Sequence, residues 1–193
     1  MDLERRRVIG IDPGYGRTGV GVVESHAGRL SLVGAECIET SADLEQPARL
    51  AAIQARVEAL IALWGPLDEA AVELLYFGRS TTTAMRVAEA RGVVLAALGR
   101  AGVPVSHYTP MQIKGLTGSG RADKRSLAFV SCRLLGVERI PGPDDAADAV
   151  AAALWHLAGG RLSQQAGRLR QGGREKMSAP LRAAVRLALE RQP

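Results

Sequence analysis

The hydrophobic period changes along the chain, and that change constrains the fold more than any other feature. The first forty residues hold short runs rich in Val, Ile and Thr. Val8 to Asp12 closes on Asp-Pro-Gly, and Thr18 to Glu24 and Leu30 to Thr40 are separated by Ala27-Gly28. Three strands on short connections predict an antiparallel meander. Leu50, Ile53, Val57, Leu60 and Trp64 then recur at helical spacing until Gly65-Pro66. Residues 69 to 75 read as a strand, 81 to 101 as a helix closing near Gly99 and Gly102, and 103 to 107 as a fifth strand. Thr109-Pro110 opens a short helix that Gly118-Ser-Gly120 breaks. Residues 123 to 135 and 144 to 157 are the last helices of this stretch, ending at Gly136 and Gly159-Gly160. Strands separated by helices pair in parallel. The expectation is an α/β fold: a mixed sheet of five strands flanked by helices, its parallel half extended by the meander.

The 193 residues suit one domain with a full core, and 47% apolar against 23% charged residues excludes a mostly disordered chain. No apolar run approaches the ~20 residues that cross a bilayer. The start, MDLERRRVIGID, is charged with few apolar residues and does not read as a signal peptide. Cys37 and Cys132 give neither a metal spacing nor a disulfide framework, so a reducing cytoplasm is the expected compartment. The net charge of +5 is unevenly placed. Residues 161 to 193 carry eight basic side chains against Glu175 and Glu190, which leaves residues 1 to 160 at −1. We therefore divide the chain into a domain over 1–160 and a basic extension over 161–193. The extension reads as a polar linker followed by a short amphipathic helix over 179–191.

Four or five acids sit where acids are costly. Asp12 ends a strand expected to be central, and Glu73 lies within the apolar AAVELL. Asp145 and Asp148 are three apart on an alanine-rich helix and share a side; Asp144, four before Asp148, can share it too. Each has a plain structural reading. Asp12 suits a turn, Glu73 an edge strand, and Asp144 and Asp145 a helix N-terminus. As a set they predict a cluster of like charges that needs cations. All-oxygen ligands without His or Cys spacing suit hard Mg²⁺ or Mn²⁺. A pair of such ions stabilises the attacking and leaving oxygens of a phosphoryl displacement.

Three stretches carry a family resemblance. VIGIDPGYGRTGVGVV, VELLYFGRSTTTA followed by ARGV, and DAADA at 145 to 149 with His156 beyond occur in order and at fitting spacing. From about Arg7 to His156 the chain resembles the RuvC family of bacterial Holliday-junction resolvases, which have a ribonuclease-H-like fold. The resemblance implies catalytic, metal-binding carboxylates at Asp12, Glu73, Asp145 and Asp148, with two Mg²⁺ ions per site and Mn²⁺ as a substitute. It implies an aromatic that stacks on a base at the crossover, at Tyr76 or its neighbour Phe77. It also implies phosphate contacts from Lys114 and Lys124, to which we add Arg121 in the intervening loop and Arg79. The implied partners are four-way junction DNA, a second copy of the chain and the RuvA–RuvB branch-migration complex. The helix over 81–101, with Ala84, Ala88 and Gly92 on one side, is the expected dimer contact. His107 and His156 read as structural and stay outside the site.

Three other readings compete with this one. The actin, sugar-kinase and Hsp70 fold has a similar first strand but needs two such domains, for which the chain is too short. A non-catalytic nucleic-acid-binding protein would not need the full acid set. A nuclease of the YqgF group, with another nucleic-acid substrate, is the leading alternative.

Overall fold

The computed structural model describes residues 5–75 and 81–160. Its strands are β1 (Arg6–Asp12), β2 (Arg17–His26), β3 (Arg29–Glu39), β4 (Glu69–Glu73) and β5 (Val105–Tyr108), in the sheet order β3-β2-β1-β4-β5. The α-helices are α1 (Gln46–Trp64), α2 (Thr81–Arg100), α3 (Pro110–Lys114), α4 (Lys124–Leu135) and α5 (Asp144–Trp155). β1, β2 and β3 form the expected meander, and β4 and β5 join β1 in parallel. The hairpin between β2 and β3 turns on Ala27 and Gly28, both at positive φ (52° and 76°), which suits the twist of a two-residue turn.

Alternation along the strands divides the core in two. Val8, Val23 and Ala71 face α5 and α4, with Leu127, Val130 and Trp155. Ile9, Ile11, Val20, Val22, Ala70 and Val72 face α1 and α2, with Ile53, Leu60, Val94 and Leu98. Both faces of the central strand β1 are covered, as the near-continuous apolar run V-I-G-I requires.

Local chemistry sets the element ends. Thr109 and Gln112 form a capping box at α3, with Pro110 in the first turn. Asp123 accepts from the Ser126 N–H at 2.7 Å to start α4, and Gly136, at φ 67°, ends it. Two strand ends differ from the sequence expectation. β5 begins at Val105 because Pro104 has no N–H; its carbonyl accepts from Ala70 N instead (2.8 Å). β4 stops at Glu73, though Leu74 N still donates to the Tyr108 carbonyl (2.7 Å). Helix α5 ends two residues early, at Trp155, and passes into a π-turn over His156–Gly160 that closes at Gly159 (φ 91°).

The position of α5 matters most for function. A Cβ added at Gly10 would lie 1.9 Å from the Ala149 carbonyl oxygen, and one at Gly19 would lie 1.9 Å from that of Asp145. At Gly21 it would meet Val150 at 2.4 Å. These glycines clear a track across β1 and β2, and the buried Ala146, Ala149 and Ala153 of α5 lie on it. Glycine inside a strand commonly marks such a close backbone approach. At its far end α5 is tethered by the buried His156. Its Nε2–H donates to Glu69 Oε2 (2.8 Å), and its Nδ1 lies 2.8 Å from Tyr108 Oη. Arg6 also pairs with Glu69.

Candidate active site

The register between strands brings the first two carboxylates together. In the parallel β1–β4 pair Ile11 lies opposite Val72, so Asp12 and Glu73 are the next step on neighbouring strands about 4.8 Å apart. Asp12 shares a face with Val8 and Glu73 with Ala71, and that face is the one α5 covers. Across the β1–β2 pair Asp12 lies opposite Gly19, on whose bare Cα the Asp145 backbone rests. The first turns of α5 thereby stand over the ends of β1 and β4. Asp145 and Asp148 are half-buried, whereas Asp144 is exposed. The N-cap of α5 is Pro143, which offers no side-chain bond, so Asp144 and Asp145 lie in the first turn without capping it.

Burial, reinforced by repulsion, makes Asp12 and Glu73 reluctant to ionise. Burial pushes the Asp12 carboxyl up to about 7, reinforced by Asp148 and then Asp145. Burial raises Glu73 to about 8, with Asp12 and Asp148 adding to it. Lys124 opposes both shifts, and Lys114 also opposes the shift at Glu73. Lys124 Nζ donates to Asp148 Oδ2 at 2.7 Å, a bond that raises the pKa of the ammonium.

Six of the ten sequence-predicted site residues thus have a described place near or beside this cluster. Asp12, Glu73, Asp145 and Asp148 act on one another, and Lys114 and Lys124 supply counter-charge. Arg121 stands exposed in the loop before α4, where its backbone N–H donates to Ser119 Oγ (3.3 Å), and it makes no ion pair to the acids. Tyr76, Phe77 and Arg79 lie outside the described residues, as does everything beyond Gly160.

Two side chains that sequence reasoning misses also belong here. Arg17 Nε lies 3.4 Å from Asp145 Oδ2, on an exposed side chain whose only sequence signal is a cation soon after the Asp-Pro-Gly turn. Cys37 pairs with Gly19 across β2–β3, and burial, then Asp145, pushes its thiol up to about 11. That keeps it a thiol at neutral pH. Gly10, Gly19 and Gly21 position the site without touching it, and glycine alternating with valine in a strand is their signal.

The donor set fits hard divalent cations: carboxylate oxygens only, crowded enough that two have raised pKa values. Among the described residues no three carboxylate, histidine or cysteine groups stand close enough together to grip one ion as they are. The acids repel one another, and one oxygen of Asp148 is engaged by Lys124.

Comparisons with known proteins place this geometry in context. The profile of the family described as crossover junction endodeoxyribonuclease RuvC matches residues 8–156. The RuvC of Syntrophomonas wolfei is 42% identical over 158 residues, covering 81% of this chain and 91% of that protein. The RuvC of Roseiflexus sp. is 48% identical over 151 residues, covering 78% and 89%. Among solved structures, Thermus thermophilus RuvC superposes with a TM-score of 0.72 at 38% identity, covering 81% of this chain and 96% of that one. The same protein in complex with Holliday junction substrate also gives a TM-score of 0.72, at 35% identity, with the same coverage.

Proposed function

We propose that this chain, which belongs to the RuvC family of crossover junction endodeoxyribonucleases, resolves four-way DNA junctions by paired, symmetrical nicks at the cluster of Asp12, Glu73, Asp145 and Asp148. The observation that carries the site assignment is the crowding of these acids. Two strand ends and one helix bring these carboxylates together where burial, and after it their mutual repulsion, raises Asp12 to about 7 and Glu73 to about 8, a pattern that marks functional sites.

Magnesium, or manganese in its place, would when bound supply the activation of water for in-line attack on the phosphodiester, with 5′-phosphate and 3′-hydroxyl ends as products. The protein does the rest. Asp12, Glu73, Asp145 and Asp148 would hold the ions, with Asp12 between Glu73 on one side and the α5 acids on the other. Lys124, already beside Asp148, reaches into the position where a phosphate would enter and neutralises charge that develops on it. Lys114 approaches the same space from the end of α3, and Arg121 and Arg79 serve the flanking phosphates. Tyr76 or Phe77 stacks on a base at the crossover, a contact worth ~1–3 kcal/mol per base.

One such centre per chain, acting symmetrically on a four-way junction, calls for a homodimer. The exposed Ala88 and Gly92 of α2, with half-buried Ala84, offer a flat face for it. The branch-migration complex RuvA–RuvB is the further partner, and the nuclease domain ends near residue 160. No helix among the described residues is long and apolar enough to cross a membrane, and the working compartment is the cytoplasm, with the DNA.

The deciding experiment incubates the protein with Mg²⁺ and a synthetic mobile four-way junction. Paired, symmetrical nicks that ligase can seal are the expected products. A dimer should also bind the junction far more tightly than a linear duplex of the same sequence. Equal affinity for both, with unpaired cuts, would place the chain with the YqgF-like nucleases.

A further inference from the structure

Helix α4 has two unlike sides. Leu127, Val130 and Leu135 pack inward against α5, while Arg125, Phe129 and Arg133 recur every four residues on the outside and are exposed. Phe129 is 42% exposed, although the chain has only two phenylalanines, and it forms a ridge between two shallow clefts. One cleft is lined by Ser119, Arg125 and Ser126, the other, on the far side of the ridge, by Cys132, Arg139 and the acids Glu138 and Asp144.

The charge on this surface is local. Residues 121 to 139 hold five cations, Arg121, Lys124, Arg125, Arg133 and Arg139, against Asp123 and Glu138, in a body over 1–160 whose net charge is −1. Among the described residues none of Arg125, Arg133 and Arg139 forms an ion pair. Asp123, the acid that feels Arg125, is committed to the Ser126 N–H. The stripe starts one residue after Lys124, whose ammonium lies on Asp148, so it leads directly away from the carboxylate cluster.

We propose that the outer side of α4 is the track for one duplex arm of the junction, with Arg125 and Arg133 on two non-adjacent backbone phosphates and Phe129 packed against the sugar edge between them. This deepens the junction-cutting assignment and rests on it. Eight helical residues separate the two arginines by about 12 Å, enough to meet two phosphates of one strand that are not adjacent. Unpaired cations bracketing an apolar ridge match a polyanion with apolar sugars. They repel the chain's own extension, whose net charge is +6. Such contacts position the duplex without reading its bases.

The test uses the full-length protein and a four-way junction with arms of about 20 base pairs, two helical turns. The double variant Arg125→Gln/Arg133→Gln changes only exposed side chains, so its fold is not at stake. It should bind the long-armed junction about tenfold more weakly at moderate salt, with the log–log salt slope flatter by about 1.8, 0.9 for each phosphate released. Phe129→Ala should lose affinity a few-fold on long arms and leave the slope unchanged. Wild-type affinity and slope for the double variant on long arms would overturn the proposal. So would a change of oligomeric state in Phe129→Ala, which would mark the ridge as a protein contact. Wild-type protein that cuts no junction at all would instead overturn the functional assignment, so the two failures are distinct.

Discussion

Asp12 and Glu73 hold their protons near neutral pH, and this has consequences for both stability and binding. Their values of about 7 and 8 stand above the ordinary 3.8 and 4.5. The stability tied to their protonated forms is therefore complete below the ordinary values and is lost as pH rises through 7 and 8. Asp12→Asn should raise the melting temperature at about pH 9 and do little at about pH 4, with a gain on the order of 2 kcal/mol, or about 5 °C. A thermal scan at both pH values checks the sign; a gain at low pH alone would contradict it. Divalent cations compete with these protons, so Mg²⁺ affinity should climb between about pH 6 and 8, with proton release visible by calorimetry in buffers of different ionisation enthalpy.

Asp148→Asn should abolish cutting, because it removes a carboxylate from the centre of the cluster. Junction affinity should stay within a few-fold, since the groups that meet phosphates remain. The ion pair it breaks involves a Lys124 side chain that is 62% exposed, so stability should fall by less than about 1 kcal/mol. A gel shift beside a cleavage assay separates the two effects; cutting at the wild-type rate would remove Asp148 from the site. At this scale the acids were legible because charge in an apolar setting is costly, and the resemblance chose Asp145 over Asp144. The structure leaves Asp144 exposed in the same turn. Arg17 and Cys37 were not legible, since the packing of α5 over β2 and the β2–β3 pairing that bring them in join positions far apart in the sequence.

Among the elements, α5 decides whether there is a site at all. Its acids reach Asp12 only because Gly10, Gly19 and Gly21 let a helix of small residues lie against strand backbone. Gly19→Ala puts a methyl group 1.9 Å from the Asp145 carbonyl oxygen, so the first turn of α5 must lift. Overpacking of this kind costs about 1–3 kcal/mol, and a displacement of about 1 Å at a reacting centre costs about a hundredfold in rate. The variant should stay folded by circular dichroism, melt several degrees lower and lose cutting far more than junction affinity. Gly99→Ala is the control. Nothing lies within 4 Å of its added Cβ, and the helix α2 should gain a few tenths of a kcal/mol. Equal cutting by Gly19→Ala and wild type would mean that the track does not set the site. Helices and strands were largely legible from period and from end signals such as Thr109-Pro110 and Gly136. The track was not, because two glycines flanking a valine show that something approaches closely without saying which helix it is.

For the whole molecule the open question is what the basic extension adds to a body of net charge −1. Binding a polyanion through residues 161 to 193 would release counterions in proportion to the phosphates met, because eight of their side chains are cationic. Their spacing between Gly, Gln and Ser carries no base-reading pattern, so the gain should be in affinity and salt sensitivity rather than in choice of sequence. A chain ending at Gly160 retains all four acids, both lysines beside them and the α5 tether at His156. It should keep metal-dependent cutting and its site preference, bind junctions more weakly and show a log–log salt slope flatter by about 0.9 for each phosphate no longer met. The amphipathic pattern over 179–191 provides a rival account, in which the segment packs on the body and stabilises it. A salt series on both chains, paired with their melting temperatures, separates the two. A flatter slope at equal melting temperature assigns the extension to DNA; an unchanged slope with a lower melting temperature assigns it to the fold.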